Sequence, residues 1–313
     1  MFIFDNRITI ENRKLLEKYL CGFDYKASAM SYTSMYMWRN INKYSFEIIG
    51  DYMCIAGNSH LELEYGVIEP FIFPPLTATG SYEPEKLRET ILKAKRLFEE
   101  KGHEFSIRLL PLHMLDIIKA ACPDEVKYTD DRPNYDYIYK KQDLIDLKGR
   151  QLHSKKNHLN YFNNNYEYEY VKITPDLADE AMVFIDEFNK MKDIPENKMR
   201  MLKLEEDAML DVLKNIDDVG YLAGAILIND KIEAISIGGR LGKNTVTIHV
   251  EKANVGYRGL YQAINNEFCR HVAKNVEFIN KEEDMGVINL RKAKLSYKPI
   301  KLLEKYNAVF KNS

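Results

Sequence analysis

Residues 219–251 read VGYLAGAILINDKIEAISIGGRLGKNTVTIHVE. Three runs rich in branched and apolar residues, Val219–Ile228, Lys231–Leu241 and Lys243–Glu251, are separated by Asn229-Asp230 and Gly242-Lys243. Both dipeptides are two-residue hairpin signals, because Asn, Asp and Gly accept the positive φ that a tight turn between twisted strands requires. The segment is expected to be a three-stranded antiparallel meander.

Helical spacing of apolar residues over Asp176–Met191 and Leu204–Ile216 precedes the meander, and Tyr261–Lys274 follows it. Strands are expected at Val276–Asn280 and Ala308–Phe310. Upstream, Asp143–Phe162 reads as a basic helix. The alternating Tyr166-Glu167-Tyr168-Glu169-Tyr170 opens a half-buried strand running to Ile173. The first part of the chain is similarly mixed. It has a helix over Ile10–Gly22, strands at Ser45–Ile55, Leu61–Ile68 and Pro70–Pro74, and a helix from the proline-marked start at Tyr82 to Lys101. A strand at Phe105–Leu110, a helix over Pro111–Ala121 and a strand at Tyr135–Tyr139 complete it. The order helix, helix, meander, helix, strand describes an α+β layer of mixed, mostly antiparallel sheets flanked by helices, not a doubly wound parallel sheet. At 313 residues two domains are expected, 1–140 and 141–313.

Composition narrows the function classes. With 45 basic and 47 acidic residues the net charge is −2, so no global field draws the chain to nucleic acid or anionic lipid, and any such contact must be local. No apolar run approaches the roughly 20 residues of a membrane span, and the N-terminus lacks the pattern of a signal peptide. Cys21, Cys54, Cys122 and Cys269 lack metal-ligand or disulfide-framework spacing, so no metal is expected and a cytoplasmic location fits. The aromatic run Tyr32, Tyr36, Met37, Trp38 reads as core before it reads as a base-stacking platform.

Four constellations carry candidate chemistry. In Thr245–Lys252, alternation sets Thr245, Thr247, His249 and Glu251 on one face and Val246, Ile248 and Val250 on the other. His249 suits a base near neutral pH, and Glu251 suits its orienting partner or an amine's counter-ion. A solvated sheet face would show the same alternation. The turn Gly256-Tyr257-Arg258-Gly259-Leu260-Tyr261 before a helix leaves backbone N–H groups for a phosphate or carboxylate, with Arg258 as a clamp; glycines there also serve turns alone. Asn280-Lys281-Glu282-Glu283-Asp284 leads into Arg291, Lys292, Lys294 and Lys298. Acids for an amine and bases for phosphates suit an aminoacyl group on a phosphate-rich carrier, or else pair with one another. Finally Arg150, His153, Lys156 and Asn157 share a basic helix face, a landing strip for phosphates or a plain solvated face.

At these residues the chain resembles the phosphatidylglycerol lysyltransferase C-terminal-domain family. Leu147–Arg150 with Lys155–His158, the strand His249–Ala253, the turn Tyr257–Tyr261, and Asn280 to Gly286 with Leu290–Lys294 occur in the family's order over most of the chain. The resemblance implies two tandem N-acetyltransferase-like (GNAT) domains. Membrane-bound members of the family transfer an aminoacyl group from a charged tRNA to a lipid head group. An acyl- or aminoacyl-transferase is therefore expected, with acyl-CoA or aminoacyl-tRNA as co-substrate, no permanently bound cofactor, and a small-molecule, peptide or lipid head-group acceptor.

The expected catalytic residues are His249, Glu251 and Tyr297, and the expected donor contacts are Lys252, Gly256, Tyr257, Arg258, Gly259, Tyr261, Asn280, Glu282, Asp284, Arg291, Lys292 and Lys294. Arg150, His153, Lys156 and Asn157 are the expected phosphate or tRNA contacts. Two departures stand out. The chain has no membrane-spanning half, and the Gln/Arg-x-x-Gly-x-Gly/Ala loop of acyl-CoA-using folds, aligned on Gly259, has Gly256 first and Tyr261 last. The second departure points to a bulkier donor than acetyl-CoA. The alternative expectation is a non-catalytic binder of tRNA or of a small anionic ligand.

Overall fold

The computed structural model describes residues 2–59, 68–123, 126–191, 196–272 and 274–310. It divides into two compact units, residues 1–135 with 303–313, and residues 136–302.

In the first unit the strands are β1 (Asn6–Arg7), β2 (Ser45–Ile49), β3 (Tyr52–Asn58), β4 (Pro70–Ile72), β5 (Leu76–Thr77), β6 (Ser106–Pro111) and β7 (Val126–Asp130). The expected single strand Ser45–Ile55 is a hairpin, because Gly50 takes φ 62° and turns β2 back onto β3. The expected strand Leu61–Ile68 lies almost wholly outside the described residues. The helix Pro84–Glu100 starts on its proline as expected and buries Leu87, Ile91, Ala94 and Phe98. Tyr32–Trp38 is a helix that buries Tyr32, Met35, Tyr36 and Met37, so the aromatic run is core.

In the second unit the strands are β8 (Asp136–Lys140), β9 (Glu169–Lys172), β10 (Tyr221–Ile228), β11 (Lys231–Leu241), β12 (Thr245–Ala253), β13 (Phe278–Asn280) and β14 (Lys301–Leu303), in the sheet order β14-β8-β13-β12-β11-β10-β9. The meander β10-β11-β12 is antiparallel throughout. Asn229 and Asp230 turn its first corner with φ of 51° and 60°, the signature of a primed turn. The second corner takes the three residues Gly242–Asn244 rather than two. β10 and β11 are buried along nearly their whole length because helices cover both faces. Leu260–His271 packs Leu260, Ala263, Ile264 and Phe268 against Val246, Ile248 and Ile279. Ala178–Lys190 lies against β11 and β12 with Phe184, Ile185 and Phe188 buried. Each fully buried Leu, Ile or Phe among these contributes about 1.5–3 kcal/mol.

Two expectations change here. The helix expected over Asp143–Phe162 is broken into Lys141–Asp146, a short 3-10 turn Arg150–Leu152, and His153–Asn165. Leu147 (φ 47°) and Gly149 (φ 90°) take left-handed backbone between them, which no α-helix continues through. The last strand, β15 (Lys305–Phe310), pairs with β6 and β7, so the C-terminal segment expected in the second domain completes the first unit's sheet. The sequence reading missed the helix Ile288–Ser296, which buries none of its residues and so shows little apolar period.

Candidate active site

The centre of the second unit is the point where β12 and β13 part. They pair in parallel at Thr245↔Phe278, Val246↔Ile279 and Thr247↔Asn280, and then β13 ends while β12 runs on to Ala253. Against β11, Ile248 pairs with Gly238 and Val250 with Ile237, which leaves His249 as an extra residue: a β-bulge.

The bulge overturns the expected single polar row. An inserted residue shifts the alternation by one, so residues beyond it face the opposite side. Thr245, Thr247 and His249 keep one face. There the His249 ring stands edge-on to Tyr221 at 5.9 Å, and its Nδ1 lies 2.7 Å from Glu282 Oε1. Lys252 shares that side, its Nζ 5.0 Å above the Phe188 ring and 3.4 Å from Asn189 Oδ1. Glu251 turns to the other side, where Asn265 Nδ2 donates to its Oε2 at 2.9 Å and Lys281 Nζ lies 3.2 Å from the same oxygen.

The parted strand ends are therefore bridged twice, by His249–Glu282 on one face and Glu251–Lys281 on the other. Both bridges are shielded from water: the side chains are 0% and 18% exposed in the first pair and 17% and 11% in the second, for Glu251 and Lys281 respectively.

Tyr297, at the end of the helix Ile288–Ser296, lies beside the second bridge with Lys281 Nζ 5.0 Å and Lys155 Nζ 4.5 Å from its ring centre. Burial, and next the Glu251 charge, push its phenol well above the ordinary range, while a hydrogen bond with Gln262 opposes them. Tyr297 thus keeps its proton at neutral pH. The three expected catalytic residues do converge on one strand end, with His249 and Glu251 on opposite faces of the sheet.

The acidic-to-basic stretch is largely a structural clasp. Asp284 is wholly buried, accepts two 2.8 Å hydrogen bonds from Arg291, one of 2.5 Å from the Tyr137 hydroxyl and one of 2.9 Å from Gly286 N. Burial alone would raise this carboxyl; Arg291, Tyr137 and the Gly286 N–H outweigh it and hold Asp284 well below the usual carboxylate range. Lys294 donates to the carbonyls of Lys281 and Glu283, and burial lowers its pKa. Asn280 bonds Asp136 and caps Glu282 N at 2.7 Å. Arg291 and Lys294 are thus occupied holding the loop that carries Lys281 and Glu282, whereas Lys292 is exposed to solvent.

The turn 256–261 divides in the same way. Gly259 takes φ 92°, and a Cβ there would meet His158 O at 2.2 Å, so this glycine lets the helix Leu260–His271 close on His153–Asn165. Gly256 N donates to Asn254 Oδ1 at 2.9 Å, Tyr257 packs edge-on to Tyr166, and Arg258 stacks 4.5 Å from the Tyr161 ring. Burial raises the Tyr261 pKa. Among the described residues no side chain caps the helix at Gly259, which sets its N-terminus and positive dipole end in the turn. Arg150, His153, Lys156 and Asn157 are all exposed, Arg150 on the 3-10 turn and the others on the helix after it. Among the described residues no cluster of three or more His, Cys, Asp or Glu is placed to hold a metal ion, and no helix is long and apolar enough to cross a membrane.

Sequence reasoning passed over Lys281, Lys155 and Asn265. Lys281 sat inside the quoted acidic cluster and Lys155 inside the basic run, but only the folded strands and helices bring them to Glu251 and Tyr297. Asn265 had no signal beyond a helical position facing the sheet.

Residues 23–309 match the family described as Phosphatidylglycerol lysyltransferase, C-terminal. A crystal structure of a conserved protein of unknown function from Bacteroides thetaiotaomicron is 30% identical, with a TM-score of 0.88 over 99% of this chain and 100% of that one. The structure of L-PGS from Bacillus licheniformis is 12% identical at a TM-score of 0.66, covering 98% and 94%. A tandem GNAT protein from the clavulanic acid biosynthesis pathway is 8% identical at 0.57, covering 98% of each. A curated, uncharacterized protein of Mycoplasmoides gallisepticum is 26% identical over 174 residues; the match takes in 54% of either, so the chain spans about half the length of the curated relative it matches. The fold is the tandem N-acetyltransferase-like α+β architecture that the sequence led us to expect.

Proposed function

The chain belongs to the phosphatidylglycerol lysyltransferase C-terminal family, and from that premise we propose that it transfers an acyl or aminoacyl group to an amine or hydroxyl at the parted ends of β12 and β13. The acceptor's nitrogen or oxygen attacks the carbonyl carbon of the donor's ester or thioester, and the tetrahedral adduct then expels the leaving oxygen or sulfur. Glu251 takes the acceptor's proton, directly or through water, and Tyr297 returns a proton to the leaving atom. Among the described residues β13 pairs with β12 only as far as Thr247, and beyond that point a backbone N–H of β12 polarises the carbonyl.

His249, its side chain wholly buried, holds the bulge in register through Glu282. The donor lies across the turn 256–261, with its phosphates toward the helix start and the exposed Arg150, His153, Lys156 and Lys292. Such a transfer needs mainly positioning and electrostatic complementarity, which rigid strand ends supply.

One observation carries this reading: the bulge at His249, where β12 leaves β13, brings a shielded carboxylate and a buried protonated phenol together at a strand end. The test is to incubate the protein with radiolabelled aminoacyl-tRNA or acyl-CoA and an amine acceptor, and to follow the label. Label in the acceptor supports the proposal. Binding of charged tRNA with a steep salt dependence, and no loss of its acyl group, would instead make the chain a binding protein.

A further inference from the structure

Lys155 has no place in the transfer described above, yet it reaches the same centre. It stands on the first turns of the helix His153–Asn165, half-buried, with its ammonium 4.5 Å from the centre of the Tyr297 ring. Among the described residues that ammonium makes no hydrogen bond and no ion pair, and it rests against the face of the ring. Lys281 faces the same ring at 5.0 Å but is matched by Glu251 at 3.2 Å. Two lysines and one carboxylate therefore gather at Tyr297, and one positive charge is left without a counter-ion in a half-buried place. Burial, then the Lys281 charge, lower the Lys155 pKa, and Glu251 offsets them only in part. An uncompensated cation of this kind is costly in isolation and becomes favourable when an anion arrives.

We propose that Lys155 is a binding residue for a phosphate on the donor's leaving group. The inference rests on the transfer function proposed above. An ester or thioester carbonyl carries no charge of its own, so the anion that accompanies it in either donor is a phosphate. Because Tyr297 serves the leaving atom and Lys155 touches the Tyr297 ring, the leaving group's phosphate falls to Lys155. Two sources share that chemistry. In a nucleotide ester the phosphate is a few bonds from the leaving oxygen, whereas in a coenzyme A thioester a long pantetheine arm intervenes.

The experiment titrates the wild-type protein, Lys155→Met and Lys155→Arg with AMP, adenosine and coenzyme A, with thermal melting to verify that each variant is folded. We expect the wild type to prefer AMP to adenosine, Lys155→Met to lose that preference with AMP binding weakened about tenfold or more, and Lys155→Arg to keep most of it. In transfer assays KM for the donor should rise in Lys155→Met while kcat changes little. A coenzyme A affinity that falls while AMP shows no preference over adenosine would assign the phosphate to a pantetheine donor. Equal binding of AMP and coenzyme A by wild type and Lys155→Met overturns the inference, even if transfer is observed. Loss of the AMP preference in a protein that never transfers would uphold the phosphate contact and overturn the transfer reading.

Discussion

Nδ1 of His249 lies 2.7 Å from Oε1 of Glu282, and this bond ties the bulge of β12 to the loop leaving β13, beyond the last residue pair the two strands share. The ring is enclosed and faces Tyr221, so the carboxylate fixes its tautomer and orientation. Removing the carboxylate's charge should misplace the strand end without dismantling the sheet. Glu282→Gln should slow transfer about 10- to 100-fold with a melting temperature close to wild type. Single-turnover rates beside thermal melts measure both, and a wild-type rate would take the pair out of the mechanism.

Tyr297 keeps its proton because burial and the Glu251 charge raise its pKa above the ordinary phenol value of about 10. A raised acid pKa means the donating form persists through the alkaline range. Transfer should therefore show no falling limb below about pH 10 from this group, and Tyr297→Phe should lose about 100-fold in kcat. A pH–rate profile from pH 6 to 10 tests this; a limb near pH 8 that vanishes in Tyr297→Phe contradicts the protonation state assigned here.

Asp284 is held below the usual carboxylate range, burial notwithstanding, by Arg291, Tyr137 and Gly286 N–H. A depressed folded-state pKa adds stability that is fully present above the unfolded value of about 3.9 and drains away as pH falls through the folded one. Asp284→Asn should cost about 2 kcal/mol near pH 7, and the gap between its urea midpoint and that of the wild type should begin to narrow below about pH 4 and keep narrowing as pH falls further. A gap between the two midpoints that stays constant from pH 7 to pH 2.5 is the contrary result.

Gly259 gives a purely steric prediction. At φ 92°, with His158 O 2.2 Å and Phe162 Cβ 3.0 Å from where a Cβ would sit, Gly259→Ala must push two packed helices apart. A loss of at least about 2 kcal/mol is expected in urea unfolding. An effect under about 0.5 kcal/mol would mean that the helices yield easily.

Much of the fold was legible because periodicity and turn chemistry agree in the meander. β11 has the expected limits, and Asn229-Asp230 makes the expected turn. Other features were hidden for identifiable reasons. A bulge adds one residue to a strand without any compositional mark, so simple alternation placed Glu251 beside His249 when it faces the other way. Leu147 adopts left-handed backbone that its residue type does not announce, and the basic helix breaks there. The pairing of Arg291 with Asp284 could not be told from a phosphate clamp, because both uses demand the same residue types at the same spacing. The bridge partners Lys281 and Glu282 were visible as charges, but their partners depend on where two strands separate.

The measurement that bears most directly on the central claim compares wild type with the double variant His249→Ala, Glu251→Ala in a single-turnover assay with radiolabelled aminoacyl-tRNA and an amine acceptor. Label should move to the acceptor with wild type, at most about 1% of that rate with the double variant, and both should bind charged tRNA similarly. Equal transfer rates in the two proteins would contradict the claim.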